Sequence, residues 1–178
     1  FNVTAQQFRQ FYYAERNAYD RSAISAEQYW SAIAADAGTQ LSADQITWLR
    51  GKDVEMWSNI NPEMLEWAAR LRAHGIETAV LSNMHEDMAK AVRERFDWIA
   101  EFRCFTLSAE LQLAKPDPRI FQHCLDCLNV AARESIFIDD KQQNTRAAEQ
   151  LGITGICASS AAEIRERLQA AGWTGPPL

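Results

Sequence analysis

From Asn61 onward the chain alternates short apolar runs with helical segments, and this rhythm limits the fold more than any other feature of the sequence. Short apolar strands separated by helices of about 10–15 residues build βαβ units, whose strands lie parallel and are covered by helices on both faces. Asn61 as cap, Pro62 at the first helical position and Gly75 past the end frame the helix EMLEWAARLRAH. The strand-like ETAVLS (77–82) follows, then a helix over about 86–95 and a second strand candidate over 102–107. Asp117 and Pro118 open a helix that runs through Leu128, and the apolar run 135–138 ends in two aspartates. A helix over about 142–151 is stopped by Gly152, a fourth strand spans 153–158, and Ser160 with Glu163 boxes the last helix. The tail TGPPL reads as a solvent-facing end.

The first 60 residues carry no strand pattern. Thr4, Ser25 and Ser42 are each followed three places later by a glutamine, Gln7, Gln28 and Gln45. In this capping box the hydroxyl and the amide satisfy orphan backbone groups reciprocally, which predicts helices from Thr4 to about Asp20, Ser25 to about Ala37 and Ser42 to about Arg50. Gly38 and Gly51 supply left-handed stops. Phe8, Phe11, Tyr12, Tyr29, Trp30 and Trp48 recur at helical spacing, as in the core of a small bundle. The expected organisation is a helical domain over 1–60 and an α/β core over 61–178.

Composition excludes several classes. With 47% apolar and 24% charged residues the chain is globular, and a net charge of −6 without a basic cluster argues against a nucleic-acid surface. No apolar run approaches the roughly 20 residues that span a bilayer. Cys104, Cys124, Cys127 and Cys157 sit among apolar neighbours, as buried free thiols do in a reducing compartment, so the cytoplasm is expected. His123, Cys124 and Cys127 lack a second cysteine pair to complete a metal tetrahedron and read as helix packing. Trp57 and Trp67 read as packing and His74 as a helix-terminal residue, while His85 either touches a ligand or starts a helix.

In parallel α/β sheets ligands bind beyond the carboxyl ends of the strands, so the polar residues found there carry the chemistry. Ser82 and Asn83 end the first strand, Lys115 follows the second, and Asp139 and Asp140 end the third, with Asn144 one helical turn onward. Two adjacent carboxylates and an amide are hard oxygen donors suited to Mg²⁺, which keeps several waters and pairs with phosphate. Ser82 and Asn83 can donate hydrogen bonds to phosphate oxygens, and Lys115 supplies a point charge.

These segments resemble a known family. LSN at 81–83, AKPDPRIFQHCL at 114–125 and FIDDKQQNTRAAEQLGI at 137–153 are similar to motifs II, III and IV of the haloacid dehalogenase superfamily. The branch with an all-helical cap, which includes sugar-phosphate phosphatases and the phosphatase domain joined to soluble epoxide hydrolases, is the nearest in pattern. The resemblance implies a Rossmann-like parallel sheet with a small helical cap, and a Mg²⁺-dependent phosphohydrolase acting on a small phosphorylated metabolite. It implies that Ser82 and Asn83 bind phosphate, Lys115 steadies phosphate and nucleophile, and Asp140 ligates the metal with Asp139 and Asn144. The superfamily's first motif, an apolar strand ending in Asp-x-Asp that supplies the nucleophile and the centre of the sheet, is absent from these residues. Some two dozen residues upstream of Phe1 are expected to carry it. The alternatives are a non-catalytic binding module that lacks this motif, and a metal-free dehalogenase, against which the Asp139–Asp140 pair weighs.

Overall fold

The computed structural model describes all 178 residues. In chain order the elements are α1 (Ala5–Ala14), α2 (Arg16–Asp20), α3 (Ala26–Asp36), α4 (Ala43–Trp57), α5 (Pro62–Ala73), β1 (Ala79–Ser82), α6 (Glu86–Arg95), β2 (Cys104–Leu107), α7 (Ser108–Leu111), α8 (Pro118–Leu128), β3 (Ile136–Asp139), α9 (Gln142–Gln150), β4 (Thr154–Cys157) and α10 (Ala161–Ala170). They form two compact units interleaved along the chain. One takes Phe1–Asn59, Ser82–Phe96 and Leu107–Ala114, and the other Ile60–Leu81, Asp97–Thr106 and Lys115–Leu178.

In the helical unit all three capping boxes form as the spacing predicts, at Thr4, Ser25 and Ser42. Two helix ends differ from expectation. The first predicted helix breaks at Glu15, where the backbone leaves helical geometry, and Arg16 restarts it with a buried side chain. The third does not stop at Gly51 but continues to Trp57. A helical glycine costs about 1 kcal/mol against alanine, and here burial of Val54 on the next turn offsets it. Tyr12, Tyr19, Tyr29, Trp30, Ile33 and Ile46 make the core of this unit. Tyr19 stacks on Tyr29 with ring centres 4.3 Å apart, a contact contributing about 1 kcal/mol beyond area burial.

In the α/β unit β3 and β4 pair in parallel, with Ile136 opposite Thr154 and Asp139 opposite Cys157. β1 pairs with β2, and the strands therefore form two pairs rather than one continuous sheet. No described strand takes the central place that the family resemblance gives to the absent segment. Trp67, Leu71, Ile156, Ala158, Ile164 and Leu168 form the core here. The tail is not a free end: Trp67 Nε1 and Trp173 Nε1 each donate to Pro176 O at 3.0 Å, and Arg165 Nε donates to Leu178 O. No helix is long and apolar enough to cross a membrane.

The cysteines correct the sequence reading. Cys104 of β2 and Cys127 of α8 are joined by a disulfide, leaving Cys124 and Cys157 as free thiols. Their Cα atoms lie 6.1 Å apart, inside the range a disulfide spans, a proximity that residues 23 apart in sequence do not announce. His123 and Cys127 are exposed rather than packed inside, while Cys124 is buried. The bridge removes the free-thiol argument on which the cytoplasmic expectation rested. Alkylation of the unfolded, unreduced protein is expected to modify only the two free thiols. Reduction should expose all four cysteines and lower the unfolding free energy by about 3 kcal/mol. Labelling of all four without reductant would contradict the bridge.

Candidate active site

Lys115 is set by the turn that opens α8. Asp117 caps that helix by accepting from Arg119 N at 2.9 Å, and Pro118 takes the first helical position, where no N–H is needed. The Arg119 side chain and N–H together hold the Asp117 carboxyl down at about 2. From this turn Lys115 reaches inward with its side chain only 9% exposed. Its Nζ donates to Leu81 O at 2.8 Å and to Asp139 Oδ2 at 2.7 Å. One ammonium thus ties the end of β1 to the end of β3. Nζ also lies 5.3 Å from the centre of the Phe137 ring, which meets Phe121 edge-on.

Both Asp139 oxygens are engaged. Oδ2 takes Lys115, and Oδ1 accepts the Lys141 N–H at 2.9 Å and Asn144 Nδ2 at 2.8 Å. The side chain is 6% exposed, so this is a buried ion pair whose remaining lone pairs are satisfied. Asn144 is buried as well, and its Oδ1 has no hydrogen-bond partner. An unsatisfied buried acceptor is costly, which makes this oxygen a ready place for a cation or a donor. Asp140, next in the chain, is exposed. No three His, Cys, Asp or Glu side chains gather into a ready-made cage, and with Asp139 engaged the oxygen donors left are the exposed Asp140 carboxylate and Asn144 Oδ1. Hard oxygen donors of this kind suit a cation which retains much of its water.

The structure therefore brings Lys115, Asp139 and Asn144 into direct contact or one bond apart, and leaves the Asp140 carboxylate at the surface. Ser82 and Asn83 follow Leu81 directly, are half-buried, and belong to the helical unit. The structure settles the two readings of His85: it starts α6 and its side chain is wholly buried. Trp67 is buried as packing, whereas Trp57 is 47% exposed and donates from Nε1 to Tyr12 OH. His74 ends α5, as expected.

Sequence reasoning missed a buried charged cluster in the helical unit. Arg16, Asp20, Asp53 and His85 are all buried, with Arg16 Nη1 3.0 Å from Asp53 Oδ2 and Nε 2.8 Å from Asp20 Oδ1. Burial pushes the Asp53 carboxyl upward, but the His85 ring, the Arg16 guanidinium and the Tyr12 hydroxyl outweigh it and hold it below the usual carboxylate range. For Asp20 burial prevails over Arg16 and the carboxyl is raised. Nothing local marks Asp53, which sits mid-helix between Lys52 and Val54.

With this geometry in place, residues 2–152 match a family model described as haloacid dehalogenase-like hydrolase. The chain belongs to that family. It is 39% identical over 97 residues to mouse acyl-CoA dehydrogenase family member 10, covering 52% of this chain and 8% of that protein. It is 29% identical over 119 residues to rat bifunctional epoxide hydrolase 2, covering 61% of this chain and 20% of that protein. The chain thus spans a minor part of these relatives. Among solved structures, a HAD family enzyme from Bacteroides thetaiotaomicron, crystallised with magnesium and inorganic phosphate, shares the fold. The TM-score is 0.65 at 21% identity, over 89% of this chain and 88% of that one.

Asp139 and Asp140 should separate by stability. Asp139→Ala leaves the buried Lys115 ammonium without its counter-ion and is expected to cost about 3 kcal/mol. Asp140→Ala, at an exposed side chain, should cost less than about 0.5 kcal/mol. Urea unfolding of the two variants measures this, and equal losses would contradict the assignment.

Proposed function

We propose that this chain forms the helical cap (1–60) and most of the α/β core (61–178) of a Mg²⁺-dependent phosphohydrolase acting on a small phosphorylated metabolite. The observation that carries the reading is the Lys115 bridge from Leu81 O to Asp139, because it couples the strand end followed by Ser82 and Asn83 to the strand end that bears the acidic pair. Ser82 and Asn83 donate to the phosphate oxygens from hydroxyl, amide and backbone. Lys115 offsets charge on the phosphoryl group, and Asp139 orients Lys115 and Asn144. Asp140, with Asp139 and Asn144 in support, would hold Mg²⁺, which when bound would polarise the phosphoryl oxygens. Hydrolysis by this route needs an attacking carboxylate, which would form an aspartyl-phosphate in line with the leaving group. The helices of the cap exclude bulk water and set which metabolite fits.

Two relatives support a phosphate substrate by name, a sesquiterpene phosphatase of Aspergillus oryzae and a phosphoserine phosphatase of Thermus thermophilus. The full-length protein is expected to hydrolyse p-nitrophenyl phosphate only with Mg²⁺ present. Asp140→Asn should lower kcat/KM on the order of 100-fold while leaving the unfolding midpoint unchanged. Turnover that survives in the variant or in chelator would overturn the metal reading.

A further inference from the structure

The six residues from Ser82 to Asp87 are fastened to the helical unit at three points. Met84 N donates to Ser108 Oγ at 2.9 Å, and Ser108 Oγ in turn donates to Asp20 O of α2. His85 Nε2 stands 3.1 Å from Asp53 Oδ2 of α4, close enough for an ion pair but short of hydrogen-bond geometry, and both side chains are 0% exposed. Asp87 accepts two bonds from Arg50 of α4, each of 2.7 Å.

The middle fastening is the most heavily built. The His85 ring lies flat on Tyr19, with centres 4.7 Å apart and planes at 9°, and Tyr19 lies on Tyr29. Asp53 Oδ2 accepts from Arg16 Nη1 and its Oδ1 from Tyr12 OH, and Tyr12 OH accepts from Trp57 Nε1 at 2.8 Å. Arg16 is fixed by Asp20 and lies over the Tyr12 and Tyr19 rings. A buried carboxylate satisfied by this many partners has one low-energy position, and the imidazole is held in ion-pair range of it by full burial and by its stack on Tyr19. Such a cluster is expensive to desolvate and is weak evidence for stability alone. It is better explained by the need to place something accurately. His85 is three residues from Ser82, too short a stretch of chain for the two to move independently.

We propose that Asp53 is a positioning residue for the phosphate-binding pair Ser82–Asn83, acting through His85. The proposal rests on the reading of that pair as phosphate donors. Asp53 touches neither substrate nor metal; it fixes the backbone from which Ser82 and Asn83 project. A consequence is that helices α1–α4 and the phosphate-binding segment shift as one body, so substrate contacts made by the helices are transmitted to the phosphate contacts.

The test uses the full-length protein with p-nitrophenyl phosphate as substrate and inorganic phosphate as inhibitor. Asp53→Asn keeps the shape but removes the charge that holds His85 and Arg16. Both KM and the inhibition constant of phosphate should rise on the order of 10- to 100-fold, with kcat changed less. Should that variant fail to fold, His85→Leu removes the same contact at similar volume, leaves Arg16 paired with Asp53, and should give the same rise. Ile33→Val is the control. It trims a buried apolar side chain of the same unit's core, away from the charged cluster, and should destabilise without raising KM. If Asp53→Asn and Ile33→Val move KM and the phosphate constant equally, Asp53 is structural only and the proposal fails, while the phosphate reading stands. If the wild type itself shows no affinity for phosphate, the phosphate reading and the proposal fall together.

Discussion

A single buried ammonium links the two strand pairs of the α/β unit. Lys115 accepts the cost of burial because it is met on one side by the Leu81 carbonyl and on the other by the Asp139 carboxylate. Without it, Leu81 O and Asp139 would each lose a buried partner. The rest of the candidate site hangs on this bond. Asp139, once ionised and fixed, orders the Lys141 N–H at the start of α9 and turns Asn144 so that its Oδ1 is the unsatisfied oxygen. Asp140 is then left at the surface as the carboxylate with free lone pairs.

A second charged cluster organises the helical unit by the same logic with different parts. Asp53 is kept ionised by Arg16 and His85, and the aromatic stack of His85, Tyr19 and Tyr29 fills the space around them. Three fastenings then bind Ser82–Asp87 to these helices. The division of the molecule into compact units follows: Ser82–Phe96 groups with Phe1–Asn59, although the chain rhythm assigns it to the α/β segment.

What was legible in the sequence was local. The capping boxes at Thr4, Ser25 and Ser42 formed because hydroxyl and amide need only three residues to find each other. Asp117–Pro118 fixed the start of α8, and with it the placement of Lys115, for the same reason. Lys115 and Asp139 were legible as neighbours because an α/β fold gathers strand ends, and the structure joins them directly. What was not legible depends on distant partners. Gly51 looked like a stop until burial of Val54 carried α4 past it. The Cys104–Cys127 bridge joins a strand to a helix across 23 residues, and the Asp53–His85 contact joins residues with no shared pattern. The tail looked solvent-facing because TGPPL is short and rich in turn residues, yet Pro176 O takes two tryptophan N–H groups.

The central claim is that Lys115 and Asp139 act as one buried unit, and a double-mutant cycle tests it most directly. Lys115→Met, Asp139→Asn and the double variant would be unfolded in urea at neutral pH beside the wild type. The account predicts a coupling free energy of about 2 kcal/mol, with the double variant more stable than either single variant's loss would imply by addition. Strictly additive losses would show that the ammonium and the carboxylate are independent, and the tie between β1 and β3 would have to be abandoned.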